Sequence, residues 1–350
     1  MSLGVRFSVT RMSNKHMRPK ALEVSTCDVI SSLPDELLHH ILSFTTAREA
    51  VQTCVLSMRW LHVWKPLRRL NIEGREFTSK IGFMKFIDNL LLHRGCIPLD
   101  NFQWTSSSSV SLDDDRANRC VCYALHCNVR ELGIIEHHQL LNLDHSYFTS
   151  AYDFNDDFED FLIDAPNLMS LHLEDLPFLA PCLVNVSSLV TASISLEEES
   201  YSSFDAKYSI FGALSNATNL KLLAPVDNYD NYPSQLNKVL KRDLLRCQTF
   251  NNLKKLSVGD WCVDADLLAL FDLLQFSPII QKLTLHLGSI GAWVSHCKTD
   301  ESKVKVNCEH LKKVKITCVQ GDKRVPNIVK IILANAKSLL EIVIKPYERW

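Results

Sequence analysis

Apolar and polar residues alternate in two rhythms along this chain, and the change comes near residue 67. Before it, Leu33, Leu37, Leu38, Ile41, Leu42 and Phe44 recur at three- and four-residue spacings, the period of an α-helix. At about 100° per residue these positions sweep an arc of about 180°. A helix packed on one neighbour needs a narrower stripe. Two arrangements account for the excess: one flank serves the segment's own core while the other meets a second protein, or the helix lies between two layers of its own domain. Pro34 stands where the first turn would begin; its fixed φ suits that turn and its missing N–H costs nothing there. Asp35 and Glu36 follow, at the end where the helix dipole favours negative charge.

A second helix is announced by Thr46, three residues before Glu49, which is the spacing of a reciprocal capping box. Ala50, Val51, Cys54 and Val55 continue it at helical intervals. A third short helical piece places Trp60 and Trp64 on one face. Three short helices in about forty residues bury little core of their own, so a partner or an attached domain is expected to stabilise them.

From Leu67 onward the pattern becomes apolar, two variable, apolar, one variable, apolar. It occurs at Leu67, Leu70 and Ile72, at Leu99, Phe102 and Trp104, at Val129, Leu132 and Ile134, and at Leu168, Leu171 and Leu173. Weaker copies lie at Leu189, Ala192 and Ile194 and at Leu220 and Leu223. The clearest are Leu253, Leu256 and Val258; Ile280, Leu283 and Leu285; Leu311, Val314 and Ile316; and Leu339, Ile342 and Ile344. Any leucine-rich chain yields some such triplets by chance, but these recur about every 30 residues, within the range of leucine-rich repeats. The last two apolar residues of each unit alternate as in a short strand, and the stretches between carry helical or irregular returns. Phe83, Phe86, Ile87, Leu90 and Leu91, and the run from Val325 to Leu333, have the spacing of such return helices. No unit can bury its apolar edge alone. The units are therefore expected to stack into a curved solenoid with a parallel sheet along one face, an α/β architecture.

Composition narrows the setting. The chain of 350 residues is long enough for two structural parts, and its 46% apolar content fits a globular protein. A formal charge of -2 argues against a dedicated nucleic-acid binder, which needs a concentrated basic surface. The opening segment, with Arg6, Arg11, Lys15, Arg18 and Lys20 among polar residues, reads as a disordered lead-in or as a nuclear signal. No apolar run approaches the roughly 18 residues that span a bilayer, and the first thirty residues lack a secretory apolar block. A nuclear or cytoplasmic location follows as the expectation, with no membrane partner. The 12 cysteines are dispersed and often take apolar repeat positions, where they read as small hydrophobes in a reducing compartment.

Catalytic motifs are not supported. Gly288 and Gly291 lie close together without the Lys-Ser or Lys-Thr of a phosphate loop, and neither G-x-S-x-G nor H-E-x-x-H occurs. His172, Glu174, Pro181 and Cys182 imitate a zinc-deaminase signature, but Asn185 occupies the second cysteine position and His172 lies in a repeat strand. His296, Cys297, Cys308 and His310 have the donors for zinc without the spacing of a closed site. Asp153, Asn155, Asp157 and Glu159 imitate a calcium loop, yet Phe158 replaces its glycine and Asp164 its bidentate glutamate. These and Asp113 to Asp115 read as solvated acidic loops, so no metal, cofactor or catalytic residue is expected. Tyr229 and Tyr232, in the turn-rich tract from Pro225 to Ser234, are either target contacts or part of a mobile insertion.

The stretches "LPDELLHHILSF" and "AVQTCVLSMRWLHVW" resemble the F-box, the plant-type variant in particular. The resemblance rests on Leu33, Pro34, Leu37, Ile41, Val55, Arg59 and Trp60, with Thr45 and Met58 as departures from the family pattern. It implies a small three-helix F-box at 28–66 after a lead-in at 1–27. It also implies docking of a Skp-type adaptor, and through it a cullin, by Leu33, Pro34, Leu37, Ile41, Val55 and Trp60. The irregular units at 67–304 are similar to the degenerate leucine-rich repeats that follow a plant F-box, and 305–350 resembles the FBD region that closes many such proteins. The function implied is that of a non-catalytic substrate receptor of an SCF-type ubiquitin ligase, with the repeats holding an unknown protein target. The alternative is a repeat scaffold that assembles partners without ubiquitin transfer.

Overall fold

The apolar triplets become strands because their last two members alternate with polar residues, which puts both on one side of a β-strand. The computed structural model describes residues 30, 32–107, 115–136, 162–176, 181–196, 210–223, 249–262, 268–288, 309–336 and 340–347. Ten strands form one sheet: β1 (Arg69–Glu73), β2 (Asn101–Thr105), β3 (Glu131–Ile135), β5 (Ser170–Leu176), β7 (Thr191–Leu196), β8 (Asn219–Leu223), β9 (Lys255–Gly259), β10 (Lys282–Leu287), β11 (Lys313–Cys318) and β12 (Glu341–Pro346). Every neighbouring pair is parallel, and the strands follow one another in chain order. The other two strands among the described residues, β4 (Leu162–Asp164) and β6 (Cys182–Val184), pair with each other in a separate small sheet that the triplet pattern does not announce.

The register aligns the triplets. Leu70 lies opposite Phe102, Phe102 opposite Leu132, and Leu132 opposite Leu171; at the far end Leu283 lies opposite Val314. The result is two apolar rows running across the sheet, buried from Leu70 and Ile72 to Val314 and Ile316. The first triplet residue, such as Leu99, Leu168 or Leu311, is buried just before its strand. There the backbone ladder begins, as when the amide of Met169 donates to the carbonyl of Arg130 and that of Gln281 to Lys254.

Two repeat positions differ from the sequence reading. In β8 the inward residue after Leu220 is Leu222, not Leu223, because strand alternation allows only every second residue to face the core. Ile344 is half-exposed, since β12 is the end of the sheet and no described strand covers it; Leu339 of the same unit lies outside the described residues.

The N-terminal helices are α1 (Asp35–Leu42), α2 (Ala47–Gln52) and α3 (Trp60–Val63), with a 3-10 turn at Thr53–Val55. The expected capping box is present: the amide of Glu49 donates to Oγ1 of Thr46 at 3.2 Å, and the amide of Thr46 to Oε2 of Glu49 at 3.0 Å. The second helix is shorter than its periodicity suggests, for it ends at Gln52 and hands Cys54 and Val55 to the tighter turn.

Return helices supply the other side of the core. In α4 (Lys80–Arg94) Phe83, Ile87 and Leu90 are buried, and Gly95 ends the helix at φ 67, a left-handed value. The helix α5 is described over Asp115–His126 and so includes Asp115, a position expected in an acidic loop. The short α6 (Ile210–Ala213) buries Ile210 and Phe211. In α7 (Leu268–Gln275) all four leucines and phenylalanines from Leu270 to Leu274 are buried; its apolar content is too uniform to show a face in the sequence. The last, α8 (Arg324–Asn335), buries Val325, Ile328, Ile331 and Ile332, as the run from Val325 predicts.

Alternation across the sheet has a direct test. Replacing fully buried Phe102 by Ala is expected to lower unfolding free energy by about 3–5 kcal/mol. Replacing its neighbour Gln103, half-buried on the opposite face, is expected to change it by only about 0.5 kcal/mol. Urea denaturation monitored by tryptophan fluorescence measures both; equal effects would contradict the assigned faces.

Candidate docking surface

The wide apolar stripe of α1 divides into two flanks. Leu38 and Leu42 point inward, Leu38 with 0% of its surface exposed, whereas Leu37 and Ile41 are 48% and 47% exposed. Phe44, just past the helix, is also exposed and makes an edge-to-face contact with His40 at 5.1 Å. Neither of two covering layers closes over this flank, so the reading of a helix sandwiched within its own domain does not hold among the described residues.

A single arginine sets the approach of the chain to this helix. Nη2 of Arg59 donates to Oδ1 of Asp35 at 2.6 Å and to the carbonyl of Leu33. It thereby ties the start of α1 to the entry of α3 and fixes Pro34, exposed at the helix cap, and Leu33, half-buried against the core. The hydrogen bond from Arg59 holds the Asp35 carboxyl below its ordinary value. Because both partners are largely in solvent, the ion pair orients more than it stabilises.

Val55 is 83% exposed on its 3-10 turn, and the following Leu56 and Met58 are exposed as well. The sequence marks Met58 only as a departure from the family pattern and gives Leu56 no distinguishing signal, because their exposure depends on the 3-10 turn that replaces the end of the expected helix. Trp60 requires a correction: expected among adaptor contacts, it is only 4% exposed. With Val63 and Trp64 it belongs to the buried cluster that continues through Leu67, Leu70 and Ile72 into the sheet. Its indole serves the junction and offers a partner no surface. Thr45, a departure from the family pattern, uses Oγ1 on the carbonyl of Leu42 at 2.8 Å, closing the end of α1.

The junction also has a polar part. Oγ1 of Thr46 donates to Oε1 of Glu76 at 2.9 Å, the guanidinium of Arg48 donates to the Glu76 carbonyl, and Arg48 lies over the ring of Phe77 at 5.0 Å. Burial raises the Glu76 carboxyl above its ordinary value, opposed by the Thr46 hydrogen bond.

The other candidate residues are not brought together. Tyr229, Tyr232, His296, Cys297 and Cys308 lie outside the described residues. His172 and Glu174 are i, i+2 neighbours along β5, with Nε2 and Oε2 3.0 Å apart, while Cys182 is buried in the separate β6. Among the described residues no three His, Cys, Asp or Glu side chains could jointly hold a metal ion, and no helix is long and apolar enough to cross a membrane. Cys96 and Cys127 lie with sulfurs 3.5 Å apart, but burial pushes the Cys127 thiol up to about 11, which keeps it protonated and a poor nucleophile near neutrality.

Comparison with known proteins agrees with this geometry. Residues 30–71 match the F-box domain. The chain is 34% identical over 130 residues to F-box/LRR-repeat protein At3g58900 of Arabidopsis thaliana, covering 34% of this chain and 39% of that protein. It is 33% identical over 107 residues to FBD-associated F-box protein At5g18780 of the same plant, covering 31% and 24%. A longer match, 25% identical over 179 residues, covers 50% of this chain and 34% of putative F-box/LRR-repeat protein At5g02930, also from Arabidopsis thaliana. The matched parts thus span well under half the length of these relatives. The chain carries an F-box domain, and its similarity to plant F-box/LRR-repeat proteins extends past that domain.

The two flanks of α1 should respond differently to charge. Leu37→Asp and Ile41→Asp are each expected to cost no more than about 1 kcal/mol of stability. Leu38→Asp, which buries a carboxylate without a partner, should cost several-fold more and unfold the helical module. Thermal melts followed by circular dichroism compare the three; a tolerated Leu38→Asp would refute the assignment of flanks.

Proposed function

We propose that this chain is a substrate-recognition subunit of an SCF-type, cullin–RING ubiquitin ligase. The observation that carries the reading is the exposed flank of α1, Leu37 and Ile41, on a helix whose opposite flank is locked into the core. Exposed apolar side chains on a short, well-anchored helix are suited to docking a partner by burial of their surface. Together with the F-box match, this flank supports a Skp-type adaptor as that partner. Leu33, Pro34, Leu37, Ile41 and Val55 are the proposed adaptor contacts, and Trp60 positions them from within.

In this reading residues 28–66 form the docking module, 67–304 a leucine-rich-repeat solenoid that holds a target protein, and 305–350 its FBD-like close. The chain contributes proximity rather than chemistry: it raises the effective concentration of target lysines near ubiquitin carried by other subunits. A nuclear or cytoplasmic location would suit that work.

The test is capture of a purified Skp-type adaptor by the full chain. Losing one central apolar contact of an interface costs ~2 kcal/mol, so a Leu37→Asp, Ile41→Asp double variant is expected to bind at least about 30-fold more weakly while remaining folded. Undiminished capture by the folded variant would refute the docking face. A target whose abundance and ubiquitination are unchanged by that variant in cells would instead favour a scaffold without ubiquitin transfer.

A further inference from the structure

One face of the sheet is filled by the apolar rows; the other carries the alternate residues of each strand, and register decides which of them are neighbours. Lys255 lies opposite Lys282, and Lys282 opposite Lys313, so three lysines line up across β9, β10 and β11. In the next row the order is Lys221, Ser257, Thr284, Lys315 across β8 to β11. Lys345 on β12 stands opposite Thr317. With strands about 4.8 Å apart, the second row places two lysines roughly 14 Å apart at the ends of a floor made of two small hydroxyl residues.

Like charges facing each other across adjacent strands oppose folding. Lys313 is relieved by Glu341, whose Oε1 lies 2.7 Å from Nζ. Among the described residues Lys221, Lys255, Lys282 and Lys315 form no ion pair. Asp260, at the end of β9, is engaged by Arg324 at 2.9 Å and by the amide of Gly288 at 2.6 Å. The local field is visible at His286, whose Nε2 lies 2.9 Å from Oγ of Ser257. Burial, and then Lys221 and Lys315, hold its imidazole below the ordinary value against the opposing pull of Asp260. The other half of the same face has the opposite character, with Glu73, Glu131 and Glu174 set against Arg69. In a chain whose formal charge is -2, the lysines reflect segregation and not a general surplus.

We propose that the lysine-bearing half of the open face, across β8 to β12, binds an extended acidic polypeptide segment of the target. This inference rests on the receptor reading for its biological occupant and names the chemistry that occupant would carry. A polypeptide fits better than a nucleic acid. Within β8 to β12 this face carries no Phe, Tyr or Trp; Tyr347, just past β12 with its amide on the Cys318 carbonyl, is one ring at the margin and not a row on which successive bases could stack. The cations within the strands are all lysines, without the arginine fork that grips phosphate. The Ser257 and Thr284 floor leaves room for a main chain and offers it hydroxyls, while the surrounding ammonium groups meet carboxylates at alternate side-chain positions.

The experiment is fluorescence anisotropy with the purified full chain and a labelled peptide of alternating Glu and Ser. The expected result is saturable binding that weakens as salt rises and falls at least about tenfold in a Lys221→Gln, Lys255→Gln, Lys282→Gln, Lys315→Gln variant. An Arg69→Gln variant, altered at the far end of the sheet, should bind as the unaltered chain does. Absence of binding, equal binding by the quadruple variant, or tighter binding of a single-stranded RNA of matched charge would each overturn the proposal. Adaptor capture by the same preparations separates the two readings. A chain that captures adaptor but not the acidic peptide refutes this surface alone, and one that binds the peptide through the lysines but not the adaptor refutes the receptor reading alone.

Discussion

Everything in this molecule depends on apolar rows that no single strand can bury. A unit such as Leu99, Phe102 and Trp104 presents its side chains to one face, and they leave water only when the preceding and following units stand beside them and a return segment covers them. Backbone hydrogen bonds between parallel strands then hold the rows in register. Polar side chains admitted to this core need partners, as Trp104 shows, whose Nε1 donates to buried Glu136 at 3.2 Å. The same constraint creates a difficulty at the ends of the sheet. A terminal strand has one side with no neighbour to complete its rows.

The helical module answers that difficulty at the β1 end. Trp60, Val63 and Trp64 extend the buried cluster past Leu67, and the Thr46, Arg48 and Glu76 contacts close it at the surface. In doing so the module gains the core that its own short helices lack. Leu38 and Leu42 are drawn inward, which leaves Leu37 and Ile41, one residue away on the same helix, facing solvent. The exposed flank is therefore held at a defined orientation by the burial of its counterpart. At the other end Ile344 stays half-exposed on β12.

Much of this was legible in the sequence because strand and helix periods differ. The triplets located each of the ten strands of the large sheet, and Thr46 with Glu49 located a helix start through a purely local reciprocal contact. What periodicity could not supply was the depth at which a side chain sits. Trp60 was assigned to a partner and belongs to the core, since an aromatic residue at helical spacing looks the same in either role. Leu222 and Leu223 both suit a strand, and alternation from Leu220, with the register onto Ile194 and Val258, selects the first. β4 and β6 are three-residue strands, too short to show alternation. The lysine rows were invisible for a different reason: they are assembled from residues about thirty positions apart, and only the ladder makes them neighbours.

Under the proposed function, the shared core couples docking to recognition. A flexible tether between two binding modules lets each sample many orientations, and the effective concentration it produces falls with its length. Here the last of the three N-terminal helices leads into β1 within a few residues, and both belong to one buried cluster. Under the proposed function, the displacement from the adaptor-facing flank of α1 to a target on the sheet would be set by the sheet itself. From β1 to β10 there are seven steps in the ladder, about 34 Å at the usual strand separation. In a receptor built this way, inserting or deleting a repeat changes where a target is presented without altering either contact surface. The number of stacked units would thus act on ubiquitin transfer through geometry, independently of affinity for adaptor or target.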